Sequence, residues 1–502
     1  MKKLAKYTSL IIGLILLAAQ PGFPQDANRS LTLEEAIQLA LDRSPNALMA
    51  KHQLKGEYWK YKSYKASTLP YMSLWGNAPS YRNSIGKYQS PKNADGVSHI
   101  EYSRSNLIVA EGGLSVNQNI GYTGTSISIN SNFDRTTNLL ADEDPTEYYF
   151  MPLNMNITQP IFKFNQFKWD RKIEPIRYDE AILNYMQQRE DVISKAIDVF
   201  FNLLTAQIDY QINQVNLANN DTIYRIAQGR FEIGTIPENE LLQLELELLK
   251  SKASIEHNKL AYNNKLFELR SFLKFNDAEL IELVPPTNVM TLEIDAEKAK
   301  IQAWENNPET RAFERRELEA LMSVDKAKKE NSFGFDLKMG YGLSNNANKF
   351  KEVYAEFQPA QTVSLGINVP ILDWGRGKGQ IQMAESRLEL EKLRLEQEKI
   401  DFDQKVYLQV KEFNMQQYQL EIAQKSDVVA QKGYRIAKQR FMIGKIDNLN
   451  FNRAQTNKDQ AKIGYLDALR NYWKKYYEVR KLTLYDFIKN QQIEFRIEEV
   501  IE

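Results

Sequence analysis

Few residues in this chain have a type and spacing that could do chemistry. Gly375-Arg-Gly-Lys-Gly379 comes nearest, as clustered glycines can bring backbone N–H groups onto a phosphate while a lysine reaches its oxygens. The GxxxxGK[ST] spacing is missing, however, so these glycines read as relief for a bend from strand into helix. His52, His99 and His257 stand far apart, without a partnered nucleophile or ligand spacing, and give no support to zinc binding or histidine-based catalysis. There are no cysteines, which leaves neither a disulfide framework nor a thiol for lipid attachment. No catalytic, cofactor or metal site is expected, and the information in the chain lies in its elements.

The 502 residues carry 65 basic and 65 acidic side chains. Lys2, Lys3 and Lys6 precede the apolar run Leu10 to Ala19, too short to span a bilayer as a helix and suited to a signal peptide over residues 1–19. Without those three lysines the balance is near −3, which recommends no nucleic-acid partner. No later run reaches 18 to 20 apolar residues, so a helical anchor is not expected. A β-barrel leaves a far weaker trace and stays open as a route into a membrane.

The same segment occurs twice. Tyr224 to Gly234 reads YRIAQGRFEIG and Tyr434 to Gly444 reads YRIAKQRFMIG, identical at 8 of 11 positions with an offset of 210. That offset also carries Ile157, Pro160 and Ile161 onto Ile367, Pro370 and Ile371, and Arg270 onto Arg480. Upstream, Ser44-Pro45 corresponds to Asn307-Pro308 at offset 263, which places an insertion of about 53 residues in the first half. The division expected is a first repeat over 20–280 (β segment 69–162, helical hairpin 166–275), a second over 281–490 (β hairpin 332–372, helical hairpin 376–489) and a tail at 491–502.

Thr32-Leu-Glu-Glu35 forms a capping box before a short amphipathic helix that stops at Ser44-Pro45, and a second helix runs to about Thr68. Longer helical tracts cover about Gln166 to Phe231, Pro237 to Phe275, Arg376 to Phe441 and Asp447 to Lys489. Each hairpin turns at Arg-Phe-x-Ile-Gly, with the glycine as a left-handed cap. Taken alone, these tracts also suit a periplasmic or surface coiled-coil scaffold or adhesion protein.

Period-two segments point elsewhere. Met151, Leu153, Met155 and Ile157 alternate with Asn154, Asn156 and Thr158; Val363, Leu365 and Ile367 with Thr362, Ser364 and Gly366; Phe335, Leu337, Met339 and Tyr341 with Asp336, Lys338 and Gly340. Aromatic residues gather at the ends: Tyr148, Tyr149, Phe150, Phe162, Phe164 and Trp374. Such strands have the length and girdle of lipid-facing barrel strands. Leu69 to Asn77 reads as a first strand, residues 81–108 and 134–147 as polar loops, and Leu114 to Ile120 with Ile127 to Phe133 as an extra hairpin, either in the barrel or outside it. Counting two strands per half gives four per chain, which cannot close a barrel; open edges in hydrocarbon are costly, and three chains would give twelve strands.

In this order the features resemble the TolC family of bacterial outer-membrane efflux proteins. The residues that carry the resemblance are Leu31-Thr-Leu-Glu-Glu-Ala-Ile-Gln-Leu-Ala40 with Ser44-Pro45, the strand ends Gln159-Pro-Ile-Phe162 and Val369-Pro-Ile-Leu-Asp-Trp-Gly-Arg376, and the paired turns. The resemblance implies a homotrimer with a twelve-stranded transmembrane β-barrel in outer-membrane lipid, continued by a periplasmic α-helical barrel. It also implies a passive exit duct for small molecules or polypeptides in tripartite efflux or type I secretion, with a periplasmic adaptor and a proton-driven or ABC inner-membrane pump. On that basis Arg230, Phe231, Gly234, Arg440, Phe441 and Gly444 are expected to face the adaptor. Family members often place an aspartate pair just past the second turn; here Asn450 and Arg453 occupy those positions, with Asp447 and Glu240 the nearest acids, and these four are expected to line the constriction.

Overall fold

The computed structural model describes residues 29–89, 100–141, 145–275, 281–286, 289 and 291–501. The expected signal peptide and His99 lie outside the described residues.

Local capping builds the repeat. Helix α1 (Leu33–Arg43) opens on a complete capping box: the Glu35 N–H donates to Thr32 Oγ1, and the Thr32 N–H donates to the Glu35 carboxylate at 3.0 Å. The Ser44 hydroxyl then accepts from the Ala47 N–H to start α2 (Pro45–Ser67). In the second half Asn307 takes the place of Ser44 between α5 (Ala296–Asn306) and α6 (Pro308–Glu330), its side chain accepting from the Glu309 N–H. Both pairs agree to the residue at offset 263.

Between them, α3 (Gln166–Glu232) and α7 (Arg376–Met442) have 67 residues each, and α4 (Glu238–Leu273) and α8 (Asn448–Thr483) have 36 each, all at offset 210. A 67-residue helix is about 100 Å long. Lys274 and Leu484 end the shorter members in the same left-handed conformation. Helix α8 therefore stops at Thr483 rather than near Lys489. A buried turn follows, in which the Asp486 carboxylate accepts from the Tyr476 hydroxyl at 2.7 Å and from the Ile488 and Lys489 N–H groups. Arg480 joins this turn to α3, donating to Asp486 at 3.2 Å and to buried Glu190 at 2.9 Å.

The chain divides into two compact units. One comprises residues up to Lys51, 186–303 and 405–495. Its core includes Phe200, Phe201, Leu203, Phe413, Leu469, Tyr472 and Tyr476, and β1 (Arg29–Leu31) pairs there in parallel with β6 (Ile281–Leu283). The other comprises 52–185, 304–404 and 496–502. It contains a Trp304–Phe313–Phe402 aromatic cluster, in which the Trp304 indole donates to Asp403 at 2.7 Å, and the large sheet.

That sheet has six antiparallel strands in the order β2 (Tyr71–Gln89), β3 (Ile100–Ile120), β4 (Thr125–Asn138), β5 (Thr146–Ile161), β7 (Gly334–Ala347) and β8 (Gln358–Asn368). Two sequence expectations change. The extra hairpin lies in the sheet, so the described residues place six such strands in it where two per half were counted. Residues 81–89, 100–108, 134–138 and 146–147 of the expected polar loops are strand. Their backbone pairing is complete in stretches such as Arg82-Asn83-Ser84, where no apolar face exists to announce it.

Register places the alternation on two continuous faces. Across one run Met72, Val116, Ile129, Met155 and Tyr341 in neighbouring strands, beside Ile127, Ile157, Met339 and Val363. The opposite face carries Ser73, Ser115, Asn130, Asn154 and Gly342, beside Asn117, Ser128, Asn156, Gly340 and Thr362. Among the described residues no opposing layer covers the apolar side of the edge strands: Leu74 is 80% exposed and Val363 75%. Exposed apolar rows of this extent call for a non-aqueous partner, which a lipid bilayer supplies.

Candidate functional site: the paired helical turns

The two hairpins turn by the same local device. Gly234 and Gly444 have φ of +71° and +70°, a conformation that a Cβ disfavours. In each turn the glycine N–H donates to the phenylalanine carbonyl three residues back (Phe231, Phe441). The next N–H, from Thr235 or Lys445, donates to the arginine carbonyl (Arg230, Arg440) at 2.9 Å. This is the six-to-one closure of a Schellman motif, and it accounts for the repeated Arg-Phe-x-Ile-Gly as turn chemistry.

The helices restart differently. Asp447 caps α8, its Oδ1 accepting from the Asn450 N–H at 2.9 Å and from the Asn450 side-chain amide at 2.8 Å. Pro237 is the equivalent in the first turn and offers no side-chain cap; there the Glu240 N–H donates to the Pro237 carbonyl at 3.1 Å. Asn450 and Arg453 are exposed and Glu240 is half-buried.

The repeat breaks symmetry in its packing. Ile223, Ala227, Leu244, Phe441 and Phe451 form a small core, with Tyr224, Leu241 and Tyr434 packed against it. The Phe441 ring stacks on Phe451 at 5.0 Å, and Tyr434 lies 5.9 Å from Phe451. Phe441 is 7% exposed whereas its counterpart Phe231 is 40% exposed. The expectation that Phe441 faces an adaptor is therefore corrected: its ring is core, because Phe451 provides a stacking surface where the first half has Leu241. Phe231 and Arg440 remain at the surface and Arg230 is half-buried, its guanidinium donating to the Met442 carbonyl at 3.0 Å. Sequence reading missed Phe451 and this link; the Leu241/Phe451 difference at offset 210 was the available signal.

Charge at the turns is unbalanced. Residues 225–240 and 435–453 together hold seven basic side chains (Arg225, Arg230, Arg435, Lys438, Arg440, Lys445, Arg453) and four acidic ones (Glu232, Glu238, Glu240, Asp447). At the remaining motif, Asp373 accepts from the Gly375 and Gly377 N–H groups at 2.9 and 2.7 Å, so a carboxylate of the chain itself fills the start of α7 where a phosphate would sit. His52 and His257 are exposed side chains on α2 and α4.

A two-faced sheet joined to paired long helical hairpins defines a membrane channel of the barrel-and-helical-tunnel class. The family model described as Outer membrane efflux protein matches residues 125–273 and 301–483, and the chain belongs to this family. Its members are trimeric outer-membrane channels with a large periplasmic helical portion that work with an adaptor and an inner-membrane pump. Among solved structures, the Campylobacter jejuni CmeC outer membrane channel is similar at TM-score 0.62 and 16% identity, over 93% of this chain and 88% of that one. VceC of Vibrio cholerae is similar at TM-score 0.60 and 12% identity, over 92% and 97%. The open state of Neisseria gonorrhoeae MtrE is similar at TM-score 0.58 and 13% identity, over 92% and 91%. Comparison with curated proteins finds no match. The coiled-coil scaffold is thus set aside in favour of the outer-membrane efflux channel.

Proposed function

We propose that the paired turns are the periplasmic constriction of a duct that performs no chemistry of its own and takes its energy from the partner pump. Asn450 and Arg453 line the opening, with Asp447 and Glu240 behind them, while Arg230, Phe231, Gly234, Arg440 and Gly444 present the surface an adaptor meets. The apolar face of the sheet takes outer-membrane lipid. The observation that carries this reading is the basic excess at the turns, with the acid nearest Asn450, Asp447, occupied in capping α8. A constriction so lined favours anions over cations.

Replacing Asn450 and Arg453 together with alanine tests it in planar bilayers. Single-channel conductance should rise and the reversal potential in a salt gradient should move toward cation preference. Unchanged conductance and reversal potential would remove these residues from the constriction.

A further inference from the structure

We infer that this chain contributes six transmembrane strands to its trimer, so that the closed barrel has eighteen strands. The family match begins at Thr125 and leaves out β2 and β3. Those two strands nonetheless belong to the same sheet. β3 pairs with β4 without a break from Leu107↔Asn138 to Ile120↔Thr125. The turn between them is held against the end of β5 and the start of α3: the Asn165 side-chain amide donates to the Gly121 carbonyl at 3.1 Å and the Gln159 amide on β5 to the Thr123 carbonyl at 3.2 Å. The hairpin therefore continues the sheet and does not fold away from it.

The added strands also keep the two faces. Met72 pairs with Val116 and Leu74 with Leu114 on the apolar side, while Ser73 pairs with Ser115 on the polar side, their hydroxyls 3.1 Å apart. An extramembranous hairpin would have no use for an apolar row in register with Ile129 and Met155. The free edges of the sheet are β2 and β8. Within hydrocarbon both must be paired, and only another copy of the chain can do so. Six alternating strands bring β8 of one copy antiparallel to β2 of the next, so closure requires no change of strand direction. Because barrel diameter grows roughly in proportion to strand number, eighteen strands give a lumen about 1.5-fold wider than twelve, in the range of water-filled porins. The face that would line it carries Ser, Thr, Asn and Gly together with the charged residues Glu111, Asp134, Asp336 and Lys338.

The absence of cysteine allows a direct test in the full-length protein in outer membranes. Cysteine pairs that combine Met72→Cys or Leu74→Cys on β2 with Val363→Cys or Leu365→Cys on β8 should give disulfide-linked dimer and trimer ladders that collapse on reduction. Pairs that combine Ile127→Cys or Ile129→Cys on β4 with the same β8 positions should give none. Ladders from β4 in heat-modifiable trimers, or none from β2, would overturn the proposal, since either means that β2 and β3 are outside the barrel. Spin labels at Leu74→Cys and Leu114→Cys provide a second measurement. Contact with a lipid-soluble relaxer equal to that at Val363→Cys is expected, and preferential access to an aqueous relaxer would likewise overturn it.

Discussion

The Arg230 guanidinium donates to the Met442 carbonyl across 3.0 Å and joins the tip of the first hairpin to the last turn of α7. Cations are favoured at a helix C-terminus, where the carbonyls lack intrahelical partners. The link is half-exposed, so its removal costs about 1 kcal/mol, below the range for buried charged hydrogen bonds. Arg230→Ala should therefore leave the trimer assembled, raise single-channel conductance and speed tryptic cleavage at Arg440. Arg230→Lys should restore part of both.

Phe451 is 1% exposed and receives Phe441 and Tyr434. Truncation to alanine leaves a cavity that a cluster of this size cannot collapse to fill, at a cost of about 3 to 5 kcal/mol. Phe451→Ala should loosen both turns, detected as faster hydrogen exchange over 223–244 and 434–451, with the sheet unchanged. Phe451→Leu, which copies Leu241, should do so far less. Equal exchange in all three proteins would show that the cluster does not hold the turns.

Asp486 accounts for an acid-sensitive part of stability. Burial acts to raise its pKa, but the Lys489 N–H, the Tyr476 hydroxyl and the Arg480 guanidinium outweigh burial and hold it below the ordinary value of 3.8. An acid depressed in the folded state stabilises above its unfolded pKa and loses that contribution as pH falls through the folded one. Asp486→Asn should lower stability at pH 7 by about 2 kcal/mol through lost buried charged hydrogen bonds. The difference from the parent protein should shrink as pH falls below 3.8. A pH-independent difference in thermal unfolding would place the role of Asp486 in packing alone.

Legibility in the sequence followed the range of the forces. Thr32 with Glu35, Ser44, Asn307, Gly234 and Gly444 act within a few residues, so helix ends were readable to within one or two positions, and the constant offsets carried them from one half to the other. The exception was the end of α8: Leu484 adopts a left-handed conformation without being glycine, beside the buried Asp486 turn that Arg480 ties to distant Glu190. Strand residues 81–89 and 100–108 read as loop in the sequence because stretches with polar residues on both faces leave period two without contrast.

Sequence by itself determined the duplication, the long hairpins, the capped turns and the alternation that calls for lipid, because each is written in spacing along the chain. Only tertiary structure decided how many strands the sheet has, that the inserted hairpin joins it at β4, and that Phe441 turns inward while Phe231 stays out. Strand pairing and core packing depend on which partner is opposite, and partners such as Met339 against Ile157 and Ile223 in the cluster with Phe441 come from the other half of the chain.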